Sequence, residues 1–226
     1  MQLYPAPDDA LVPPPDRAVQ TKRPRGRPPK TVDERDDGNR RQELIRAAAR
    51  LFHRKGFHAT STRDIATAVG MRSGSPFYHF RSKGELLYAV MDEGMRSAID
   101  RQRRALDIAK QTSSHPRAIL AALIRNQFDV LLGPGSDFIP VMLYESRALN
   151  ARQRASLLQL QSDYESAWTP VLEALHASGR LRTEVKLARL LIFGALNWAV
   201  QWYDPRKSAS LDDLTAAALT LFIHDD

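Results

Sequence analysis

The chain contains no cysteine among its 226 residues, which excludes disulfide bonds, thiolate metal sites and a thiol nucleophile. Its six histidines do not follow HExxH or another metal-ligand spacing. Neither GxSxG nor a Walker loop occurs, and Gly133-Pro134-Gly135 is typical of a turn. We therefore expect a protein that is not an enzyme and that binds no metal or cofactor.

Long apolar runs are also missing. The most apolar stretch, from Leu190 to Val200, is far shorter than the roughly 20 residues that span a bilayer. The N-terminal residues are acidic and rich in proline, unlike a secretory signal. Together with the lack of cysteine, these features predict a soluble cytoplasmic protein without a membrane partner.

Positive charge, by contrast, is abundant and unevenly distributed. The segment from Lys22 to Lys83 holds 16 basic and 6 acidic residues, whereas the remainder holds 17 basic and 20 acidic residues. A merely solvated basic face would spread its charge over the whole surface. The concentration at one end indicates that this end binds a polyanion.

The chain divides into three segments. Residues 1–38 contain eight of the fourteen prolines, which predicts a disordered arm. From Arg40 to Gly56 apolar residues recur at helical spacing, and no later stretch alternates as a strand would. Helix breaks are expected at 113–116, 133–135, near Asn150, at 178–179 and at 204–205. The predicted fold is all-α, with a three-helix unit over 39–99 and a larger helical bundle over 100–226.

Residues 62–80, TRDIATAVGMRSGSPFYHF, have the layout of a helix-turn-helix. Ser61 and Asp64 form a capping box at its start. Ala66 is small enough for two helices to cross closely, and Gly70 can take the positive φ of the sharp turn. We expect Phe80 in the core and the free face of the second helix in the major groove of DNA.

The segment RQELIRAAARLFHRKGFHATSTRDIATAVGMRSGSPFYHFRSKGELLYAVM (41–91) resembles the N-terminal domain of the TetR family of bacterial transcriptional repressors. The motifs AAxxLFxxxGF, DIAxAVG and FYHFxSKxEL occur at the family's spacings. The resemblance implies a helix-turn-helix at about 62–81 that binds double-stranded DNA, and a C-terminal domain that binds an effector and pairs two subunits.

The resemblance also implies which residues contact DNA. Thr60 and Ser61 would contact phosphates, and Lys83 would bind the DNA backbone at the N-terminus of the next helix. Arg63 and Arg72 would add cations beside the groove. The recognition segment would consist of Ser73, Gly74, Ser75, Phe77, Tyr78 and His79.

Three positions depart from the family pattern, which commonly has serine at Arg72, leucine at Pro76 and tyrosine at Phe77. Because proline fits only the first turn of a helix, we expect the recognition helix to begin late, capped by Ser73 or Ser75. The hydroxyl missing at Phe77 could be replaced by Tyr78 or His79. These changes alter which bases are contacted rather than whether DNA is bound.

The arm contains KRPRGRPPK at residues 22–30. Its Arg25-Gly26-Arg27 core resembles an AT-hook, in which extended Arg-Gly-Arg lies in the narrow minor groove of A·T tracts. The competing interpretation is a plain basic tail that contacts phosphates anywhere.

The C-terminal domain ends in two apolar helices, over 187–205 and 211–225. Leucine, tryptophan and small residues lie along one side of the first: Leu187, Leu191, Gly194, Ala195, Trp198 and Trp202. We expect these two helices to form a four-helix homodimer interface, the alternative being burial within one subunit. A dimer would present two recognition helices about 34 Å apart to a palindromic operator.

The segment FGALNWAVQWY resembles TetR regulators that respond to acyl-CoA thioesters. Candidate effector-binding residues are Tyr144, Trp168, Phe193, Asn197 and Trp198, with Arg147 to meet an anion. Each aromatic could equally belong to the bundle core. The sequence thus favours a ligand-responsive, nucleoid-associated repressor released by a small hydrophobic or acyl-CoA effector. The rival is an architectural nucleoid protein without an effector.

Overall fold

The structure is a computed structural model that describes residues 32–71, 76–206 and 209–224, with side chains omitted at 32–38, 76 and 77. Every regular element in these residues is helical, which confirms the all-α prediction. The helices are α1 (Val32–Lys55), α2 (Thr62–Ala68), α3 (Pro76–His79), α4 (Lys83–Thr112), α5 (Pro116–Leu132), α6 (Phe138–Glu145), α7 (Ala151–Ser166), α8 (Thr169–Ala177), α9 (Val185–Asn197), α10 (Ala199–Trp202) and α11 (Leu211–Phe222). The predicted arm contacts of Arg25, Gly26 and Arg27 lie outside the described residues.

The first helix begins earlier than the sequence pattern indicated. We placed residues 32–38 in a disordered arm, whereas α1 starts at Val32. No proline occurs from Val32 to Lys55 to interrupt a helix. The described part of α1 thus includes residues 32–38, although no apolar residues recur there at helical spacing.

The DNA-binding unit consists of α1–α3 and the start of α4. Its core contains Leu44 and Phe52 from α1, Ile65 from α2, and Leu87 from α4. Phe80 joins them with 4% of its surface exposed, as predicted. These contacts fix α2 and α3 on one side of α1.

Helix α4 connects this unit to the rest of the chain. It continues for 30 residues through the boundary expected at 99–100. Helix α5 packs against α4, α8 and α11, and its Leu120, Leu123 and Ile124 are fully buried. The C-terminal domain is thus a bundle built around α5, and α4 is shared with the DNA-binding unit.

Two helices that we expected to be continuous are divided. The stretch from Asn150 to Ser178 breaks into α7 and α8, with Pro170 in the first turn of α8. Proline lacks the N–H that would continue the helix, and its ring clashes with the preceding turn. The segment 187–205 likewise divides at Trp198 into α9 and α10. Within the part of the chain that the structure describes, no helix is long and apolar enough to cross a membrane.

Candidate DNA-binding surface and effector cavity

The helix-turn-helix is closed by local hydrogen bonds. Ser61 Oγ accepts from the Asp64 N–H over 3.1 Å, and Asp64 Oδ2 accepts from the Ser61 N–H over 2.9 Å. The bonds to Ser61 hold the pKa of the Asp64 carboxyl below its ordinary value. Gly70 takes φ of +68° at the end of α2. The predicted capping box and glycine turn are both confirmed.

Two residues expected at the phosphates face the inside of the unit instead. Thr60 is fully buried, and its hydroxyl donates to the Gly56 carbonyl over 2.8 Å. Lys83 Nζ donates to the carbonyls of Phe57 and Thr60 over 2.8 Å each and lies 4.4 Å from the Phe57 ring centroid. The Thr60 hydroxyl and the Lys83 ammonium thus stabilise the turn between α1 and α2, and the phosphate contacts of these two residues stay predictions.

The remaining described residues of the predicted DNA surface are accessible. Ser61 and Arg63 are exposed at the start of α2, and Tyr78 on α3 is 79% exposed. His79 is half-buried, and its ring centroid lies 5.3 Å from that of Tyr78. Tyr78 thus presents most of its aromatic ring to solvent, as expected for a recognition residue.

The described part of the recognition helix runs from Pro76 to His79, and the late start inferred from Ser-Pro geometry stays a prediction. The residues that would cap it, Ser73 and Ser75, lie outside the described residues, together with Arg72 and Gly74. The backbone of Phe77 belongs to α3, but its side chain also lies outside them.

A cavity of about 350 Å³ lies in the C-terminal domain among α4, α5, α6, α7 and α9. Most of its lining side chains are apolar: Met91, Met95, Ala98, Val130, Leu131, Ile139, Met142, Leu143, Leu149, Leu157, Leu158 and Phe193. An apolar cavity with a few polar groups is the usual form of a small-molecule site.

Only part of the predicted effector set lines this cavity. Phe193 and Asn197 do. Trp168 is fully buried, and its ring packs 4.8 Å behind that of Phe193, with its indole N–H donating to Gln102. It supports the cavity wall without facing the cavity.

Three predicted effector residues point elsewhere. Tyr144 and Trp198 are 60% and 65% exposed, and Arg147 is exposed as well. None of the three lines the cavity; the Tyr144 hydroxyl instead accepts from the Gln201 amide. These three side chains thus lie outside the cavity wall, and their contact with an effector stays a prediction.

The sequence interpretation missed the polar part of the cavity. Gln127, Tyr164 and Arg154 line it together with Asn197. Gln127 and Tyr164 are only 4% and 5% exposed, and burial raises the pKa of the Tyr164 hydroxyl well above its ordinary value. The available signal was the pair Asn126-Gln127, two polar residues in the most deeply buried part of an apolar helix.

Helix α6 contacts the DNA-binding unit while forming a wall of the cavity. Glu145 Oε1 accepts from the Phe57 N–H over 2.8 Å, just beyond the end of α1. Asp137 Oδ1 lies 3.0 Å from His53 Nδ1. The ring of Phe138 packs against Gly94 of α4, where a Cβ atom would come within 2.2 Å of it. A shift of α6 would therefore be transmitted to α1 and α4.

An apolar stripe on α9 and α10 is open to solvent in the single chain. It comprises Leu187, Leu190, Leu191, Trp198 and Trp202, each more than half exposed. Gly194 and Ala195 lie within it and are also exposed. On α11 Leu221 is 80% exposed. An exposed stripe of this length is typical of a protein–protein interface.

Two protein-family models match the chain. The model for bacterial regulatory proteins of the tetR family matches residues 44–90. The model for the tetracyclin repressor-like C-terminal domain matches residues 113–225. The two matches thus fall on the DNA-binding unit and on the domain that holds the cavity.

Whole-chain relatives agree with these matches. The HTH-type transcriptional repressor KstR2 of Rhodococcus jostii is 31% identical over 199 residues, covering 87% of this chain and 95% of the relative. The crystal structure of superantigen PfiT is 37% identical, with a TM-score of 0.70 over 82% of this chain and 97% of the other. The crystal structure of AibR in complex with isovaleryl coenzyme A and operator DNA shares the fold, with a TM-score of 0.72 at 21% identity over 81% and 97% of the two chains.

The family models and the repressor relative extend over the helix-turn-helix and the cavity-bearing bundle alike. The chain belongs to the TetR family: it is a DNA-binding helix-turn-helix transcriptional repressor and not an enzyme.

Proposed function

We propose that this repressor binds a palindromic operator as a homodimer and is released by a small hydrophobic effector of the acyl-CoA type. The observation that carries the proposal is the position of α6. This one helix forms a wall of the apolar cavity and also hydrogen-bonds to the end of α1 through Glu145. A molecule in the cavity thereby acts directly on the DNA-binding unit.

The DNA contacts in this proposal come from the exposed residues of the helix-turn-helix. Ser61, Arg63, Tyr78 and His79 lie on α2 and α3 or at their starts. Arg72 through Ser75, together with Phe77, complete the recognition segment in the sequence. Because the Lys83 ammonium is bound to carbonyls, its phosphate contact would come from the backbone amide at the start of α4.

The dimer in this proposal forms through the apolar stripe and α11. Small residues at Gly194 and Ala195 allow close approach of a second copy of α9; a Cβ added at Gly194 meets no atom within 4 Å in the single chain. The two-fold arrangement would set the distance between two recognition helices and so select a palindrome.

The effector class follows from the cavity and from the relatives. Apolar walls suit a hydrocarbon chain, and the exposed Arg154 on the rim supplies a cation for an anionic head group. The fold neighbour AibR was crystallised with isovaleryl coenzyme A and operator DNA. An effector that favours a conformation with the wrong spacing of recognition helices would release the operator.

The test is footprinting of the DNA upstream of the protein's own gene, with and without acyl-CoAs. We expect one protected palindrome, preferred over bulk DNA by about a thousandfold or more, and its loss when an acyl-CoA is added. Broad protection of A·T-rich DNA that no ligand changes would instead favour the architectural nucleoid protein.

A further inference from the structure

We propose that the closed end of the effector cavity selects ligands whose buried portion carries a hydrogen-bond acceptor, and that Asn197 is the residue that binds it. This inference rests on the function proposed above, because it concerns the same cavity. It adds a chemical requirement that an unsubstituted hydrocarbon chain does not meet.

The first observation is a series of side-chain hydrogen bonds that all run in the same direction. Asn126 Nδ2 donates to the Tyr164 hydroxyl over 3.3 Å, and that hydroxyl donates to Gln127 Oε1 over 2.6 Å. Gln127 Nε2 in turn donates to Asn197 Oδ1 over 2.7 Å. Each group accepts from one neighbour and donates to the next, so the hydrogen bonds run in one direction from Asn126 to Asn197.

The series of hydrogen bonds ends at Asn197, a residue that lines the cavity. Asn197 uses its oxygen to accept from Gln127, which leaves the two hydrogens of its Nδ2 group. Among the described residues, none accepts a hydrogen bond from this group. Since Asn197 lines the cavity, an acceptor for Nδ2 has to come from what enters the cavity.

The hydrogen bonds lie at the closed end. Gln127 and Tyr164 are almost fully buried, whereas the lining residues Leu143 and Leu158 are 48% and 59% exposed and mark the mouth. A ligand that enters by the mouth reaches the amide of Asn197 with its leading part. Because burial raises the pKa of Tyr164, its hydroxyl keeps the proton that it donates to Gln127 Oε1.

These features define a class of ligand. A ketone, ester or ether oxygen in the inner part of an otherwise apolar ligand would accept from Asn197 Nδ2. A saturated chain would displace water from the amide without replacing its hydrogen bond, which leaves a buried donor unsatisfied. Met95, Leu131 and Phe193 also line the cavity and offer apolar surface to the hydrocarbon part of such a ligand.

The experiment is calorimetric titration of the full-length protein with decanoyl-CoA and with a series of oxodecanoyl-CoA isomers. The isomers differ only in which carbon carries the ketone, so they scan the depth of the cavity. We expect at least one isomer to bind about tenfold more tightly than decanoyl-CoA. Equal affinity for all members of the series would overturn the inference.

Two variants assign the effect to Asn197. Asn197→Leu removes the donor at similar size, and we expect the ratio of the two affinities to fall to about one. Asn197→Asp replaces the donor with an acceptor, and we expect the oxo isomer to bind more weakly than decanoyl-CoA. Met142→Leu, an apolar change in the same cavity wall, is the control and should change both affinities by the same factor. A preference for the oxo isomer that persists in both Asn197 variants would refute the assignment.

The same titrations separate this inference from the proposed function. If decanoyl-CoA and its oxo isomers bind equally and release the operator, the proposed function stands and the inference fails. If no member of the series binds, the effector class is wrong and the inference fails with it.

Discussion

The DNA-binding unit and the effector cavity use their interior polar groups in opposite ways. In the DNA-binding unit, Thr60 and Lys83 donate to carbonyls of their own turn. In the cavity, the side-chain hydrogen bonds end at Asn197 with donors that have no acceptor among the described residues. The DNA-binding unit is therefore preorganised, whereas the cavity keeps hydrogen-bonding capacity for a ligand.

Helix α6 joins these two regions. It lines the cavity with Ile139 and Met142 and reaches the DNA-binding unit through Asp137 and Glu145. A rigid unit cannot adjust internally to a shift of α6, so it would move as a body. In a dimer, such a movement changes the distance between recognition helices rather than the shape of either one.

The largest effect should come from breaking the dimer, because only a dimer holds two recognition helices at a defined distance. Leu191→Glu places a charge in the centre of the apolar stripe. We expect a monomer in analytical ultracentrifugation and a loss of operator affinity of about a hundredfold, because two half-sites are then no longer bound together. The control is Ile108→Glu on α4, since Ile108 and Leu191 are 65% and 63% exposed. A variant at 191 that remains dimeric would show that the stripe is not the interface.

Deleting residues 1–31 should have the next largest effect, because it removes the five cations of residues 22–30 but leaves α1 intact. We expect operator affinity to fall roughly tenfold and the slope of its logarithm against that of salt to flatten by about 0.9 for each lost phosphate contact. Fluorescence anisotropy over a salt series measures both. A deletion that leaves slope and affinity unchanged would remove the arm from the DNA-binding surface.

Gly94→Ala tests the contact between α4 and α6. The added Cβ would lie 2.2 Å from a ring carbon of Phe138, so the two helices must separate. We expect the free energy of unfolding to fall by about 1–3 kcal/mol in chemical denaturation, with a change in the effector concentration that releases the operator.

Gly84→Ala is the matched control for this variant. It lies on the same helix, and its Cβ would meet only Ser82 Oγ at 3.7 Å. Alanine is favoured over glycine in a helix, so we expect an unchanged or slightly higher stability. Equal loss of stability in both variants would mean that the Phe138 contact is not the cause.

Glu145→Ala removes the hydrogen bond between α6 and the Phe57 N–H. We expect a coupling energy lower by about 1 kcal/mol, the size of one hydrogen bond. The measurement is the ratio of effector dissociation constants with and without operator. Glu145→Gln keeps an acceptor and should retain most of the coupling, and Glu173→Gln on the exposed face of α8 should change nothing. Full coupling in Glu145→Ala would exclude this bond from the transmission of the signal.

The two regions also differ in how far their residues could be predicted from sequence. Neighbours close in the chain determine the capping box, the turn at Gly70 and the burial of Phe80. The residue types at these positions therefore indicate the local geometry directly. Thr60 and Lys83 were named from the family pattern, which gives the residue but not the carbonyls that it binds.

The cavity depends on helices that are distant in sequence. Asn197 was predicted, but its hydrogen-bond partner Gln127 lies 70 residues away in sequence, and Tyr164, which bonds to Gln127, lies 37 residues from it. The exposed positions of Tyr144 and Trp198 depend on where α9 breaks and which way α6 turns, and helical periodicity reveals neither. Packing between helices that are distant in sequence decides these positions, and such packing cannot be predicted from a single sequence.

The smallest expected effect concerns pH and the local hydrogen bonds of the DNA-binding unit. Bonds from Ser61 lower the pKa of Asp64 below its ordinary value of 3.8. A carboxyl whose pKa is lower in the folded state stabilises the fold fully above its ordinary value, and this contribution is lost as pH falls through the lowered one. The free energy of unfolding, measured from neutral to strongly acidic pH, should therefore fall less with acid in Asp64→Asn than in the native chain.

Asp163→Asn, an exposed change on α7, is the control and should keep the native pH dependence of the unfolding free energy. Identical acid profiles for all three proteins would contradict a role of the Asp64 carboxylate. Because Asn197 and its partners carry no charge at these pH values, the cavity would contribute nothing to this difference, which isolates the capping box as its source.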